Sequence, residues 1–351
     1  MSTHKPLFIF ALFGLAASSA TQADVLVGNY GFVGAPKPAL VFAPTATGDM
    51  PPTRTLGGAA NAIVSATGFT YEPVEDVVYV ADFYGQAVRV FPIGARGDVP
   101  ARRTLTSPYI GQPRAVIIDR AHQEMLVLGS GCCVFTYARD ADGASAPFTR
   151  FLQWGGSSGS LTQLNNPGSI TLLEGSDEIA LSDYSSATPA VPHVLVFARS
   201  AAGNTAPVRV IEGPATQLGS YARSVVFEPS SQRLFVLAND AATGGVSRAR
   251  IAVFDAGASG NTAPLRTIEG SLTGMDLQGS EYLGGMGLDP INQRLLVSIN
   301  AGADSRVLAF GYGDSGNVPP ALRLAGAQTQ LSSPGVPLGV PDRILRSSFD
   351  P

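Results

Sequence analysis

One phrase recurs six times along this chain, and it limits the fold more than any other feature. It consists of an apolar strand with an aromatic residue near its end, a glycine-containing turn, and then a proline and an arginine, as in VLVFARSAAGNTAPVRVIEG from Val194. The six arginines are Arg54, Arg102, Arg150, Arg209, Arg266 and Arg323. Self-similarity at a period of roughly 50 residues predicts a repeat architecture rather than a set of unrelated domains.

A second apolar strand, closed by an acid, alternates with this phrase. The acids are Glu72, Asp119, Glu174, Glu228, Asp289 and Asp342. A third strand follows most of them, such as VVYVAD from Val77, so each period holds four short strands separated by Gly, Pro, Asn and Asp turns. Four strands per period predict propeller blades. We label the strands a to d from the central channel outward, with strand a ending at the acid.

The two chain ends predict how the ring closes. The first strand after residue 23, from Val25, is b-like and is followed by strands c and d, with no strand a. The last strand, from Gly335 to Asp342, is a-like and stands alone. We therefore predict an all-β, six-bladed β-propeller over residues 24–343, closed by N-terminal strands b, c and d plus a C-terminal strand a, with a tail over 344–351. Such closure removes exposed sheet edges.

Residues 1–23 have the features of a secretory signal peptide. A positively charged start precedes the apolar run Leu7–Ala17, which is shorter than the roughly 20 residues that span a bilayer. We expect cleavage after Ala23, with Ala20 as the second choice. This predicts a periplasmic or secreted protein with no remaining membrane span.

Composition excludes several classes of protein. The 351 residues carry 23 Lys plus Arg against 27 Asp plus Glu, so there is no basic field for nucleic acid. The hydrophobic fraction of 45% is too high for a disordered chain, and 40 Gly with 26 Pro disfavour a helical bundle.

The repeat phrase resembles that of NHL-repeat six-bladed propellers of the bacterial exported type. The residues that carry the resemblance are Gly203–Pro207 with Arg209, and Gly260–Pro264 with Arg266. It implies the propeller fold and no particular activity. Blade 3 departs from the pattern, because Cys132-Cys133 replaces the usual turn and no Asp or Asn ends its b strand.

The ends of the b strands are rich in Asp and Asn. They carry Asn29, Asp82, Asp183, Asn239 and Asn300. In a propeller the b–c loops and the d–a connections share one face, here called the b–c/d–a face. The five residues either terminate strands through local hydrogen bonds or, in a subset, supply oxygen ligands for a calcium ion.

The same face gathers candidate ligand-binding residues. They are Arg114, Arg223, Tyr84, Tyr184, Asp82, Asp183 and His193, with further aromatics at Tyr30, Phe32, Phe83, Tyr109, Trp154, Tyr221 and Tyr282. Arg114 and Arg223 each precede a strand-a acid by five residues, which predicts that both lie at the channel mouth on this face. Cations, carboxylates and tyrosines together predict a polar site with aromatic walls. The alternative is that the aromatic side chains only pack loops onto blades.

Cys132 and Cys133 form a candidate disulfide, since thiols pair in an oxidising compartment. Neighbouring Cα atoms lie about 3.8 Å apart, against about 4.4–6.8 Å in ordinary disulfides. The bond would close a strained eight-membered ring and constrain almost no chain. Free thiols and an intermolecular bond are the alternatives.

No catalytic motif accompanies these features. The sequence has no G-x-S-x-G elbow, no H-E-x-x-H motif and no phosphate-binding glycine loop, and the two histidines that follow the predicted signal peptide, His122 and His193, suggest no triad. We expect a non-catalytic module without a cofactor that binds a small molecule, a glycan or a protein through the b–c/d–a face. The alternative is a calcium-dependent hydrolase of the lactonase type with the metal at the channel mouth. A thiol-linked sensor built on Cys132-Cys133 is a third hypothesis.

Overall fold

The backbone forms a ring of six four-stranded antiparallel sheets. The structure, a computed structural model, describes residues 22–130, 133–155, 160–185 and 190–341. Helix in these ranges is limited to four 3₁₀ turns at Pro214–Thr216, Ser271–Thr273, Gly302–Asp304 and Ala327–Thr329. No described helix has the length and apolar character needed to cross a membrane. The predicted all-β, six-bladed propeller is confirmed.

The first three blades use the first eleven strands. Blade 1 contains β1 (Ala23–Val27), β2 (Ala39–Phe42) and β3 (Arg54–Leu56). Blade 2 contains β4 (Ala66–Glu72), β5 (Val77–Asp82), β6 (Ala87–Pro92) and β7 (Arg103–Leu105). Blade 3 contains β8 (Pro113–Asp119), β9 (Glu124–Gly129), β10 (Val134–Ala138) and β11 (Phe148–Leu152).

The remaining blades follow the same order. Blade 4 contains β12 (Ser169–Leu173), β13 (Glu178–Tyr184), β14 (Pro192–Ala198) and β15 (Arg209–Glu212). Blade 5 contains β16 (Tyr221–Glu228), β17 (Arg233–Asn239), β19 (Ala249–Asp255) and β20 (Arg266–Glu269), and its loop strand β18 (Val246–Ser247) pairs with β21 (Leu277–Gln278). Blade 6 contains β22 (Tyr282–Asp289), β23 (Arg294–Asn300), β24 (Arg306–Gly311) and β25 (Leu322–Ala325).

The last strand, β26 (Leu338–Pro341), completes blade 1 as its strand a. It pairs with β1 in antiparallel register, with Leu338 opposite Leu26 and Gly339 opposite Val25. The predicted closure by the two chain ends is therefore confirmed. Apolar side chains of neighbouring blades fill the gaps between sheets, as where Phe235 and Ile251 of blade 5 cluster with Met286 of blade 6.

Buried acids organise the a–b turns, as in blade 5, where the carboxylate of Glu228 accepts the backbone N–H groups of Ser230 at 2.9 Å and Ser231 at 2.8 Å. Asp119 and Asp289 accept turn N–H groups in the same way. Blade 4 differs from the prediction. Its strand a ends at Leu173, which pairs with Glu178, and Glu174 is exposed in the turn. Asp342 lies outside the described residues.

Each c–d loop contacts the preceding blade through a glycine, and we call this contact the latch. The glycine pairs in parallel with a Leu or Ile of the preceding d strand, at Gly48–Leu324, Gly97–Leu56, Gly143–Leu105, Gly203–Leu152, Gly260–Ile211 and Gly316–Ile268. In five blades the following Asp or Asn accepts a backbone N–H from the connection that leaves the preceding blade; these residues are Asp49, Asp98, Asn204, Asn261 and Asn317. Blade 3 again departs, because Asp142 precedes its glycine and accepts the N–H of Thr104.

Arginines on the d strands reinforce the latch. Arg150 donates to the carbonyl of Arg199 at 3.1 Å, and Arg209 donates to that of Ala256 at 2.7 Å, in both cases in the c–d turn of the next blade. The predicted assignment was one residue off in two blades. Arg103, rather than Arg102, occupies this position in blade 2, where it faces Val90. Leu322, rather than Arg323, occupies it in blade 6, where it faces Ala309.

The latch predicts that Gly213→Ala destabilises the protein more than Gly203→Ala. Both glycines have positive φ, 119° and 62°, which a side chain disfavours. A Cβ at 213 would also lie 2.5 Å from Oδ1 of Asn261, whereas a Cβ at 203 would meet nothing within 4 Å. We expect urea unfolding to show a loss of about 1 kcal/mol for Gly203→Ala and about 2–4 kcal/mol for Gly213→Ala. Adding Asn261→Ala to Gly213→Ala should reduce the difference in stability loss between the two glycine variants. Equal losses of unfolding free energy for Gly203→Ala and Gly213→Ala would contradict the role of the latch.

Candidate functional site

Asp82 is fully buried at the end of β5 and binds the connection that enters its own blade. Its Oδ1 accepts the N–H groups of Ser65 at 2.7 Å, Val64 at 3.1 Å and Gly85 at 3.3 Å. Its Oδ2 lies 2.8 Å from Nε of Arg89. The carboxylate thus fixes the point at which the chain reaches strand a.

Asp183 likewise binds the connection that enters its own blade, blade 4. It is fully buried, and its oxygens accept the N–H groups of Asn165 at 2.7 Å, Asn166 at 2.5 Å and Tyr184 at 2.8 Å. Nε2 of His193 lies 3.3 Å from Oδ2 of this carboxylate. Both candidate carboxylates of the b–c/d–a face are therefore engaged by groups of their own fold.

His193 is enclosed rather than presented to the channel mouth. The residue is 4% exposed, and its Nδ1 lies 3.4 Å from Oε2 of Glu212. The ring thus lies between the carboxylates of Glu212 and Asp183. His122 lies on the opposite face in an a–b turn, with Nδ1 2.8 Å from Asp119.

Two of the asparagines, Asn29 and Asn300, also bind the backbone that enters a strand. Nδ2 of Asn29 donates to the carbonyl of Gln330 at 3.1 Å, and Nδ2 of Asn300 donates to that of Pro334 at 3.2 Å. The five b-strand ends do not occupy equivalent positions. Asp82 pairs with Ala66, the residue directly before the bulge in its a strand. Asn300 pairs with Tyr282, which lies one residue farther from the bulge in its own a strand. Successive side chains of a strand point to opposite faces of its sheet, so the five do not form one ring of ligands.

No three or more His, Cys, Asp and Glu side chains lie close enough to hold one metal ion in the part of the chain that the structure describes. The oxygens of Asp82 and Asp183 fit the role of strand termination, since they already accept several N–H groups each. The calcium alternative is untested and stays a prediction.

Arg114 and Arg223 occupy the same structural position in blades 3 and 5. A one-residue register shift in β8 centres on Arg114, and the same shift in β16 centres on Arg223. Nε of Arg114 donates to Oγ of Ser130 at 3.3 Å, and Nε of Arg223 donates to Oδ1 of Asn239 at 3.3 Å. Each arginine is thus held by the residue at the end of the neighbouring b strand. Sequence reasoning missed this role for Ser130, because its only signal was that no Asp or Asn ends the b strand of blade 3.

Aromatic rings of the preceding blade lie against both guanidinium groups. Cζ of Arg114 is 5.8 Å from the ring centroid of Phe83, directly after β5. Cζ of Arg223 is 5.3 Å from the ring of Tyr184, at the end of β13, and 4.7 Å from that of Tyr221. Cation–π contact therefore fixes each arginine on one side.

Further tyrosines lie close to the Phe83 ring. The Phe83 ring packs edge-on against Tyr84 at 4.9 Å and lies 5.8 Å from Tyr30. Burial raises the pKa of the Tyr30 hydroxyl, the positive charge of Arg114 acts in the opposite direction, and Tyr282 adds to the rise. The hydroxyl therefore stays protonated at neutral pH beside Arg114.

Other predicted aromatics lie away from this cluster. Tyr109 packs edge-on against Phe148 at 5.1 Å, in an aromatic group on the outer strands of blade 3 that includes Phe135 and Phe151. Nε1 of Trp154 donates to the carbonyl of Asn165 at 3.2 Å. These side chains pack loops and the rim of the ring, as the alternative interpretation predicts.

The two adjacent cysteines are only partly within the described residues. Cys132 lies outside them, whereas Cys133 is 7% exposed and packs in the apolar cluster between blades 2 and 3. The Cys133 carbonyl accepts the N–H of Gly129 at 3.0 Å. The bond between Cys132 and Cys133 stays a prediction.

Comparison with known proteins supports the fold alone. No family model and no curated protein matches the chain. Among solved structures, it is similar to a chain in the crystal structure of a nidogen/laminin complex, with a TM-score of 0.56, 14% identity, and coverage of 90% of this chain and 97% of that one. It is also similar to the hydrazine synthase of Kuenenia stuttgartiensis (TM-score 0.47, 14% identity, 70% and 64% coverage). A third is the β-propeller domain of Cps50 (Swd1) from Myceliophteria thermophila (TM-score 0.46, 9% identity, 88% coverage of each).

Asp82→Ala should destabilise the protein to the same extent in calcium and in a chelator. The substitution leaves buried N–H groups and Arg89 without their acceptor, which we expect to cost about 2–4 kcal/mol in urea unfolding. Asp140→Ala, at an exposed acid of a c–d turn, is the control and should change stability by less than about 0.5 kcal/mol. A calcium-dependent thermal shift that Asp82→Ala abolishes would instead favour the metal alternative.

The predicted disulfide is tested by intact mass. We expect the non-reduced protein to be lighter by two hydrogens than the same protein after reduction, because two adjacent thiols should pair in the oxidising compartment that the predicted signal peptide implies. The mass should not depend on protein concentration, in contrast to an intermolecular bond. An unchanged mass on reduction would reject the bond.

Proposed function

We propose that this protein is an exported, non-catalytic binding module that holds a protein partner through its b–c/d–a face. One observation carries the proposal. Arg114 and Arg223, near the starts of strands a in blades 3 and 5, are positioned by neighbouring side chains but form no ion pair among the described residues. In contrast, Asp82, Asp183 and His193 are engaged within the fold. The face thus offers two cationic recognition groups, while these three candidate acid–base groups are already engaged within the fold.

Exposed apolar side chains on the same face support a macromolecular partner. Phe32 and Val33, in the b–c loop of blade 1, are 60% and 80% exposed, and Tyr282 is 48% exposed. The Phe32 ring lies 5.2 Å from that of Tyr84. Apolar surface that adjoins polar recognition groups is typical of protein interaction sites.

The structural neighbour favours a protein over a small molecule or a glycan. The nidogen/laminin structure is that of a protein complex, so a chain of similar fold is known in an assembly of proteins. At 14% identity this is a precedent for the fold and does not name the partner. Membership of the NHL-repeat group remains part of the proposal.

Export by the N-terminal signal is also part of the proposal. Ala23 is the first residue of β1, pairs with Pro341 and accepts a hydrogen bond from Asn292 at 3.3 Å. Cleavage after Ala20 would leave β1 whole, whereas cleavage after Ala23 would remove one residue of the strand that closes the ring. This favours the second cleavage site over the first.

Site-specific cross-linking tests the proposed face. A photo-reactive phenylalanine analogue replaces Tyr282 on the b–c/d–a face in one variant and Val74, which is 70% exposed in an a–b turn, in the control. In cells that produce the protein, we expect a discrete adduct from position 282 and none from position 74. The purified partner should then bind the wild type, and Phe32→Asp should weaken binding by about tenfold or more while Val74→Asp leaves it unchanged. Identical adducts from both positions, or none from position 282, would reject the assignment.

A further inference from the structure

We propose that the channel mouth carries two repeat-related oxyanion-binding sites, one on Arg114 and one on Arg223. The inference rests on the proposed function, because it names the chemistry that this face recognises. The ligand class is a carboxylate, phosphate or similar oxyanion, either free or on the acidic side chains of a partner protein.

The first step is the position of the two side chains. A β-bulge redirects its side chain out of the alternation of the strand. The same bulge occurs in blades 2 and 6, where its residues are Thr67 and Gly284. The hydroxyl of Thr67 is used by the carbonyls of Pro113 and Arg114, and a Cβ at Gly284 would lie 2.2 Å from a backbone oxygen. Of these four bulges, those in blades 3 and 5 are the ones that carry a cation.

The second step is that the two arginines are held in the same way. In each, Nε is bound by an oxygen at the end of the neighbouring b strand, and one face of the guanidinium lies against an aromatic ring of the preceding blade. Ser130 and Asn239 are thus equivalent partners, and so are Phe83 and Tyr184. A side chain that is fixed before binding loses less conformational entropy when a ligand arrives.

The third step concerns the N–H groups of the two arginines that these contacts do not use. The terminal Nη groups of Arg114 and Arg223 donate to no acceptor among the described residues. The other half-buried or buried arginines in these ranges bond to a carboxylate or a backbone carbonyl; they are Arg54, Arg89, Arg103, Arg139, Arg150, Arg199, Arg209, Arg233, Arg250, Arg266, Arg294 and Arg306. The terminal N–H groups of these two half-buried guanidinium groups, here called the forks, therefore have no acceptor among the described residues. We infer that a ligand supplies it.

The fourth step is the match to the ligand. The terminal N–H groups of a guanidinium present parallel donors that fit the two oxygens of a carboxylate or phosphate. The nearby acids do not compete, since Asp82 is paired with Arg89 and Asp183 accepts three backbone N–H groups. Aromatic rings lie against both guanidinium groups, Phe83 beside Arg114 and Tyr184 beside Arg223. This favours an acidic group carried on apolar or aromatic surroundings.

The experiment measures oxyanion binding with defined probes. Inorganic phosphate and succinate represent free oxyanions, and a fluorescently labelled decapeptide of glutamate represents an acidic protein segment. Binding is followed by thermal shift for the small ions and by fluorescence anisotropy for the peptide. We expect saturable binding that weakens as salt rises, as ion pairing requires. Binding of the small ions identifies a free oxyanion as the source, and binding of the peptide alone identifies a protein.

The variants assign that binding to the two forks. Arg114→Gln and Arg223→Gln should each weaken the binding of a responding probe by about tenfold or more, because each removes a charge-assisted pair of hydrogen bonds. Arg223→Lys, which keeps the charge and loses the fork, should lie between. Arg102→Gln and Arg248→Gln remove an equal charge from exposed positions and should change binding by less than about twofold. The thermal shift of each variant is measured from the melting temperature of that variant without ligand. The variant Arg223→Lys keeps the test valid if a glutamine variant folds poorly.

Two outcomes would overturn the inference: no probe binds the wild type, or the exposed controls lose as much affinity as Arg114→Gln and Arg223→Gln. The result is separable from that of the cross-linking experiment. If position 282 yields its adduct but no oxyanion binds, the oxyanion sites fail and the binding module stands. If oxyanions bind but positions 282 and 74 behave alike, the sites stand and the assignment of the partner face fails.

Discussion

A small contact between neighbouring blades recurs around the whole ring. In it, the glycine of each c–d loop pairs with the d strand of the blade before it. In five of the six blades an Asp or Asn beside that glycine then binds the connection on which the chain passes to the next blade. The contact requires a positive φ and no side chain on the d–a glycine that faces it, as at Gly213. It explains why Gly with Asn or Asp recurs in the repeat phrase while the apolar positions around it vary.

Two sets of contacts, the latch and the side chains at the b-strand ends, position the loops around the channel mouth. The latch sets the distance between blades at the rim, and side chains such as Asp82 and Asn29 bind the incoming chain just before strand a. In those blades the start of strand a is therefore held by a side chain. A β-bulge lies at the second or third residue of strand a in blades 2, 3, 5 and 6, and a bulge redirects the side chain of its residue.

The sequence predicts the architecture well because the repeat and the matching chain ends leave few other solutions. It predicts registers less well, since turns differ in length by a residue between blades; strand a of blade 4 thus ends at Leu173 and the d-strand arginine of blade 2 is Arg103. The candidate site was predicted by residue type. Which of its groups are already bonded depends on partners distant in sequence, as with Asp183 and Asn165, and no pattern in the sequence reveals that.

Repetition itself separates structural residues from residues that serve recognition. A residue type required by every blade recurs in every blade, as the latch glycines do, and the fold accounts for it. The bulge residue is different: it is Thr67, Arg114, Arg223 and Gly284 in four equivalent places, so the blade itself does not dictate its identity. An arginine is costly to hold half-buried without a carboxylate, yet it occurs there twice with the same supporting contacts. A requirement outside the fold, namely an anionic partner at the channel mouth, accounts for that pair.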